Sequence, residues 1–277
     1  CHDIPAPATM TMATTGSDVV LDCGEFFIKL TDPRWAHQLR AEVHWTRTLR
    51  GALSVEVPEC IAYGELDGWS YVILSRVPGV GIDSIWLTLS HSQRTDLAAQ
   101  IGQLIHSLGQ IDPAPLPGNG HADWVPFLDE ARRIMPKRMR KAEVNEGLIQ
   151  AVIQRLGDAS VAPETAVSLI HTELLGEHVR VSERDGRWHV TGVIDWADAR
   201  VGHPGYEMAA PIEFIFKGEV GCTWACVEAW APGEARGMGP ELFEWALRHR
   251  YFHLGRMRKA AGGGETLAEI ERRLFSL

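Results

Sequence analysis

Residues 166–181 read AVSLIHTELLGEHVRV, and residues 188–199 read WHVTGVIDWADA. Each is a β-branched, apolar run that ends on histidine or carboxylate-bearing positions. That is the pattern of a short buried strand delivering polar groups into a loop. The first loop carries His171, Glu173 and His178, and the second opens on Asp195. Metal ligation, phosphoryl transfer and plain loop hydrogen bonding are all open to such a set. His171 and His178 lack the H-E-x-x-H spacing, and the chain contains no G-x-S-x-G turn, which removes the zincin and serine-hydrolase readings. A carboxylate that can receive or orient a hydroxyl, with metal ligands on the neighbouring loop, is the minimal kit for phosphoryl transfer.

Upstream, the chain is strand-rich. TMTMAT (9–14), VVLDC (19–23) and EFFIKL (25–30) predict a three-stranded antiparallel meander with turns at TGSD (15–18) and Gly24. Asp32-Pro33 predicts a helix start, with Asp as cap and Pro at the first position, and the helix would set Trp35, Leu39 and Val43 on one face. IAYGEL (61–66) and WSYVILSRV (69–77) flank Asp67-Gly68, a hairpin signal, and the strand stops at Pro78-Gly79. Beyond this point helical spacing takes over, with Leu97, Ile101, Leu104, Ile105 and Leu108 on one face. Helices are expected at 124–140, 145–156, 221–231 and from Pro240 to about Ala260, after a Pro/Gly loop at 112–123. Short strands are expected at 166–170, 178–182 and 189–194. The expectation is an α+β fold of two lobes, a β-rich lobe over 1–76 and a larger, mainly helical lobe over 77–277, with a cleft for a ligand.

Lys29 stands in a strand whose neighbours are apolar, where a lysine either snorkels outward or pairs with a carboxylate and an anionic ligand. Glu42, in the next helix, is an available partner, and a lysine held that way can neutralise phosphates. The TGSD turn could turn its amides to a phosphate or be an ordinary hairpin turn; a Walker loop is excluded, since G-x-x-x-x-G-K-[ST] does not occur. Formal charge over the 277 residues is -9, which argues against nucleic-acid binding and suits a cationic small molecule. No apolar run reaches the roughly 18 residues of a membrane span. The start CHDIPAPATM has no secretion-signal pattern, and its lack of a Met leads us to expect missing native residues. Five scattered cysteines read as free thiols of a cytoplasmic protein. Cys222 and Cys226, at i and i+4, fit a buried helix face better than a metal site. Trp224 and Trp230 fall in the same predicted helix, exposed or in the core.

Taken together, the two opening stretches, continued through RVGHPGYEMA (200–209), resemble the catalytic segment of the aminoglycoside phosphotransferase family, whose fold is protein-kinase-like. That family's pattern is H-G-D-x-H-x-x-N, then [IV]-D-[WF], then G-D-P-x-x-D. HTELLGEH (171–178), VIDW (193–196) and GHPGYE (202–207) occupy those places in order. FIKL is similar to its phosphate-lysine strand, RAEVHWTRTL to its partner-glutamate helix, and AAQIGQLIHSLGQI to its first large-lobe helix. The resemblance covers about residues 9 to 260.

The resemblance implies an ATP-dependent phosphotransferase acting on a hydroxyl of a small, amine-bearing molecule, with Mg²⁺ or Mn²⁺. It assigns Lys29 to the nucleotide phosphates, Glu42 to orienting it, and the main chain of Ser75, Arg76 and Val77 to the base. Asp195 and His178 would hold metal, Glu173 would face the acceptor hydroxyl, and Glu207 would tie the loop down. Asp198 and Glu213 would line an acidic acceptor pocket. Among the departures from the pattern, two bear on the chemistry: Glu173 stands for aspartate and His178 for asparagine. The added methylene displaces the carboxylate by about 1.5 Å, and His178 puts an imidazole where Mg²⁺ prefers oxygen. A nucleotide-binding protein with weak or no transfer is the alternative.

Overall fold

The computed structural model describes Ile4 and residues 7–13, 18–112, 120–157, 168–235, 237–251 and 254–275. In it β1 (Thr11–Met12), β2 (Val19–Asp22) and β3 (Phe26–Thr31) precede α1 (Ala36–Leu49), β4 (Cys60–Leu66) and β5 (Trp69–Ser75). The strands form one antiparallel sheet in the order β1-β2-β3-β5-β4. Asp67 (φ 51°) and Gly68 (φ 83°) both take the left-handed conformation that a two-residue hairpin turn demands between β4 and β5. The β-branched and aromatic content of β3 and β5 suits their central places. Leu39 and Val43 of α1 pack on Val72 and Leu74 of β5, burial that stabilises by about 1.5–3 kcal/mol for each large side chain.

The second region runs through β6 (Val80–Gly81), α2 (Ile82–Ile85), α3 (His91–Leu108), α4 (Trp124–Lys141) and α5 (Glu146–Gly157). It continues with β7 (Ser168–Ile170), β8 (Val179–Arg184), β9 (Arg187–Val193), β10 (Arg200–Gly202) and α6 (Pro204–Glu207). It closes with α7 (Val220–Trp230), α8 (Gly239–Arg248), α9 (Leu254–Ala260) and α10 (Leu267–Phe275). A capping box between Ser90 and Gln93 starts α3. A Cβ on Gly102 would lie 2.1 Å from the carbonyl oxygen of Cys226, so glycine is what lets α3 and α7 pack this closely. Cys222 and Cys226 are fully buried in that contact and serve as core side chains. Trp224 and Trp230 are half-buried against the same core. The antiparallel pairs β8–β9 and β7–β10 carry the two loops quoted at the outset. No described helix is long and apolar enough to cross a membrane.

Three expectations need correction. The strand expected over 9–14 is reduced to two exposed residues, and the TGSD turn lies mostly outside the described residues, as does most of the 112–123 loop. Trp35 closes a 3-10 turn, Pro33–Trp35, capped by Asp32, and is 52% exposed; the helical face begins one residue later. The helix expected from Pro240 to Ala260 breaks after Arg248. His249 is extended there (φ -66°, ψ 135°), and its side chain turns to the loop after β7.

Candidate active site

Lys29 sits on β3 facing α1. Its Nζ donates to both Glu42 carboxylate oxygens at 2.8 and 2.9 Å and to Asp195 Oδ1 at 2.8 Å. Glu42 has no exposure, and burial pushes its pKa up to about 7 against the pull of Lys29. Burial opposes the Lys29 ammonium as well, but the Asp195 and Glu42 carboxylates outweigh it and raise its pKa. For Asp195, Lys29 outweighs burial and holds the carboxyl well below the usual range. Asp195 has φ +69°, a left-handed backbone directly after β9 and Ile194 that points its carboxylate back at β3. A cavity of about 260 Å³ holds Lys29, Glu42 and Asp195 with Ser75, Arg76, Val77 and His178. The Ser75 and Arg76 amides donate to Glu59 O (2.9 Å) and Glu25 O (3.0 Å), while the Arg76 guanidinium lies 4.4 Å over the Phe27 ring. Glu177 and Arg180 line the cavity too, though neither stood out in the sequence, where each reads as a solvated strand-edge charge.

The loop after β7 is held from three sides. Glu207 Oε2 accepts from the amides of His171 and Thr172, the latter at 3.0 Å, which is the tying role the resemblance implies. Burial pushes that carboxyl up to about 7, against backbone donors that favour its ionised form. His171 Nδ1 accepts from the Glu173 amide (3.2 Å), so its Nε2 is the donor to Ile194 O at 3.0 Å. Burial drops its pKa to about 3 and keeps it neutral. His249 does the same from α8's end: Nδ1 accepts from the Tyr251 amide (3.3 Å) and Nε2 donates to Thr172 O at 3.0 Å. Thr172 stands at φ +71°, where the family pattern has glycine.

His178 is oriented by its own loop. Nδ1 lies 2.8 Å from Glu173 O, a carbonyl that can only accept, so the proton is on Nδ1. Nε2 then faces Asp195 Oδ2 at 3.5 Å and Glu177 Oε1 at 3.8 Å. Two carboxylates thus face one edge of the imidazole. An N–H bonded to a carbonyl with the other nitrogen presented outward is also how ligand histidines are held, so the donor set fits a divalent cation. Among the described residues no group of three or more His, Cys, Asp or Glu could hold a metal ion by itself.

Glu173 points away from Lys29. Its carboxyl is hydrogen-bonded with Tyr251 and beside Asp198; burial first, then the Asp198 charge, pushes its pKa up to about 8. Asp198 Oδ1 accepts from Arg250 Nη1 at 2.9 Å, and Glu213, buried, lies 3.7 Å from Arg256 Nε. The two expected acceptor carboxylates are thus each matched by an arginine from beyond α8. His249, Arg250 and Tyr251 are the residues sequence reading missed. The only signal is RHRYFH (248–253), where three consecutive polar side chains cannot all lie on one helix face.

The profile of the phosphotransferase enzyme family matches residues 18–246. Viomycin phosphotransferase of Streptomyces vinaceus is 27% identical over 180 residues, covering 62% of this chain and 60% of that protein, so less than two thirds of the relative's length is matched. The GDP and kanamycin complex of a type IIIa aminoglycoside 2″-phosphotransferase shares the fold with a TM-score of 0.68, 17% identity, and 98% and 92% of the two chains covered. A type VIII aminoglycoside 3′-phosphotransferase gives 0.65, 19%, 90% and 95%. The streptomycin–ATP complex of a type IIa 2″-enzyme gives 0.59, 14%, 92% and 86%.

Proposed function

The chain belongs to the phosphotransferase enzyme family, and on that footing we propose that it transfers the terminal phosphoryl group of ATP to a hydroxyl of a small molecule. The observation that supports this best is Lys29, held within 2.8 Å of both Glu42 and Asp195 in one cavity beside the catalytic loop. Lys29 meets the nucleotide phosphates and Glu42 fixes its direction. The base lies along Ser75, Arg76 and Val77; since the first two amides are already used, its contacts fall to the carbonyls and to Val77. Asp195 and His178 hold the divalent cation, and the imidazole favours Mn²⁺ over Mg²⁺. A cation held there would supply charge neutralisation for the transferring phosphoryl group. Glu173 orients the acceptor hydroxyl and takes its proton at a carboxylate oxygen, the buried carboxyl being a stronger base than a solvated one. We also place the division of the lobes at 76/77 and the protein in the cytoplasm. Relatives of this fold were solved with kanamycin, streptomycin and gentamicin, so amine-bearing polyols open the acceptor panel.

A second reading, a nucleotide binder with weak or no transfer, draws on the Glu173 carboxyl being turned to Tyr251 and Asp198 and raised to about 8. Calorimetry with ATP and ADP, followed by an ADP-release assay over the acceptor panel, separates the two. Transfer requires acceptor-stimulated ADP release that Asp195→Ala abolishes. Nucleotide binding without any stimulated release leaves the second reading standing, and no nucleotide binding sinks both.

A further inference from the structure

A second cavity, of about 450 Å³, is bounded by Leu175 of the loop after β7, and its size is within the range that seats small-molecule ligands. Leu175 of the catalytic loop, Phe214 and Tyr251 form its apolar part, and Arg138, Lys141 and Arg256 supply its charge. Among the described residues no carboxylate lines it. Tyr251 connects it to the chemistry, because its phenol is hydrogen-bonded with the Glu173 carboxyl. We propose that this cavity is the acceptor site and that it recognises an anionic group, a carboxylate or a phosphate, on the hydroxylated acceptor. The inference rests on the phosphotransferase reading and narrows its acceptor.

Three observations converge on it. Arg138 is fixed: its Nη1 donates to Arg250 O, which sets the guanidinium at the cavity wall. Arg256 is set by stacking, with Cζ 4.9 Å over the Phe214 ring, and by Glu213 at 3.7 Å. Guanidinium groups fixed in this way present forked donors that match the paired oxygens of carboxylates and phosphates. Finally, the nearby acids that would hold an ammonium are engaged, Asp198 by Arg250 and Glu213 by Arg256. An amine entering the cavity would meet Arg138 and Lys141, with Arg256 shared with Glu213 behind the wall, and like charges at that range repel.

The test is calorimetry on the full chain, with ADP present to fill the first cavity, using four probes of one skeleton: glucose, glucosamine, gluconate and glucose 6-phosphate. Gluconate or glucose 6-phosphate should bind at least about tenfold tighter than glucose, with glucosamine no tighter than glucose. Comparing the two anions decides between carboxylate and phosphate. Lys141→Ala, at an exposed position, should remove most of that advantage while glucose binding stays unchanged; Arg256→Gln should do the same if the variant folds. Tighter binding of glucosamine overturns the proposal, as does equal binding of all four probes or an equal loss for glucose and the anions. Failure to bind ADP would count against the nucleotide reading instead, and the probe series would still report on this cavity.

Discussion

The two cavities bounded by the loop after β7 are charged on opposite principles. In the first, opposite charges meet inside the protein: one lysine from β3 bridges Glu42 of α1 and Asp195 after β9, groups 13 and 166 positions away. In the second, the wall carries arginine and lysine heads while the carboxylates beside it are matched from the α8–α9 segment. The first is organised before any ligand arrives. The second presents positive charge outward, and its ligand must supply the countercharge. On the proposed reading, the internally matched site takes a shape of charge shared by all nucleotides, and the outward-facing one selects among acceptors.

Substitutions can break that contrast. Asp195→Ala should lower kcat by about 10²–10³-fold, the scale for loss of one preorganised charge contact; a kinetic loss below tenfold would mean that the first cavity is not where transfer is organised. Glu173→Gln should cost about 10²-fold or more in kcat while ADP affinity stays put. A parallel fall in ADP affinity would show that Glu173 belongs to the first cavity after all. Lys29→Ala should destabilise the fold by about 3 kcal/mol in urea unfolding, because the fully buried Glu42 loses its partner; a lysine that merely snorkels would cost almost nothing.

The remaining two predictions sharpen the contrast. With its carboxyl pushed up to about 8 by burial and then Asp198, Glu173 is mostly protonated below that pH. The base form accumulates as pH rises, so kcat/KM should climb through about pH 8 and not level off near 5. Asp198→Asn removes the second cause and should move the inflection lower; an inflection unmoved would disconnect Asp198 from Glu173. The smallest effect is expected for Thr172→Gly. Relief of a left-handed, β-branched residue at φ +71° is worth about 1–2 kcal/mol. It is partly offset by the unfolded-state entropy of glycine, about 0.5–1 kcal/mol, and by loss of the 3.3 Å bond from Thr172 Oγ1 to Asp198 O. A net stabilisation below about 1 kcal/mol should appear in urea unfolding. A marked loss would mean the hydroxyl positions the Asp198 loop.

Much of the fold could be read from order alone. Asp67-Gly68 specified its hairpin because two consecutive left-handed positions accept few other residues, and the α3 stripe specified its helix through spacing. The helix predicted through 249–251 failed because tertiary bonds from His249 and Tyr251 to the loop after β7, and from Arg250 to Asp198, outweigh local propensity. Trp35 failed for a simpler reason: a 3-10 turn rotates its side chain off the face that a continuous α-helix would have given it.

By itself, then, the chain's order of residues determined most of the elements, and the family resemblance of its motifs implied Lys29, Glu42 and Asp195 for the first cavity, where Lys29 alone reads equally as a snorkelling surface lysine. Tertiary structure alone decided the second cavity. Asp198 meets Arg250 and Glu213 meets Arg256 across 52 and 43 positions, and neither pairing follows from local period or propensity. A carboxylate's availability depends on which cation the fold brings within a few ångströms, because charge interactions fall with distance in space and are indifferent to distance along the chain.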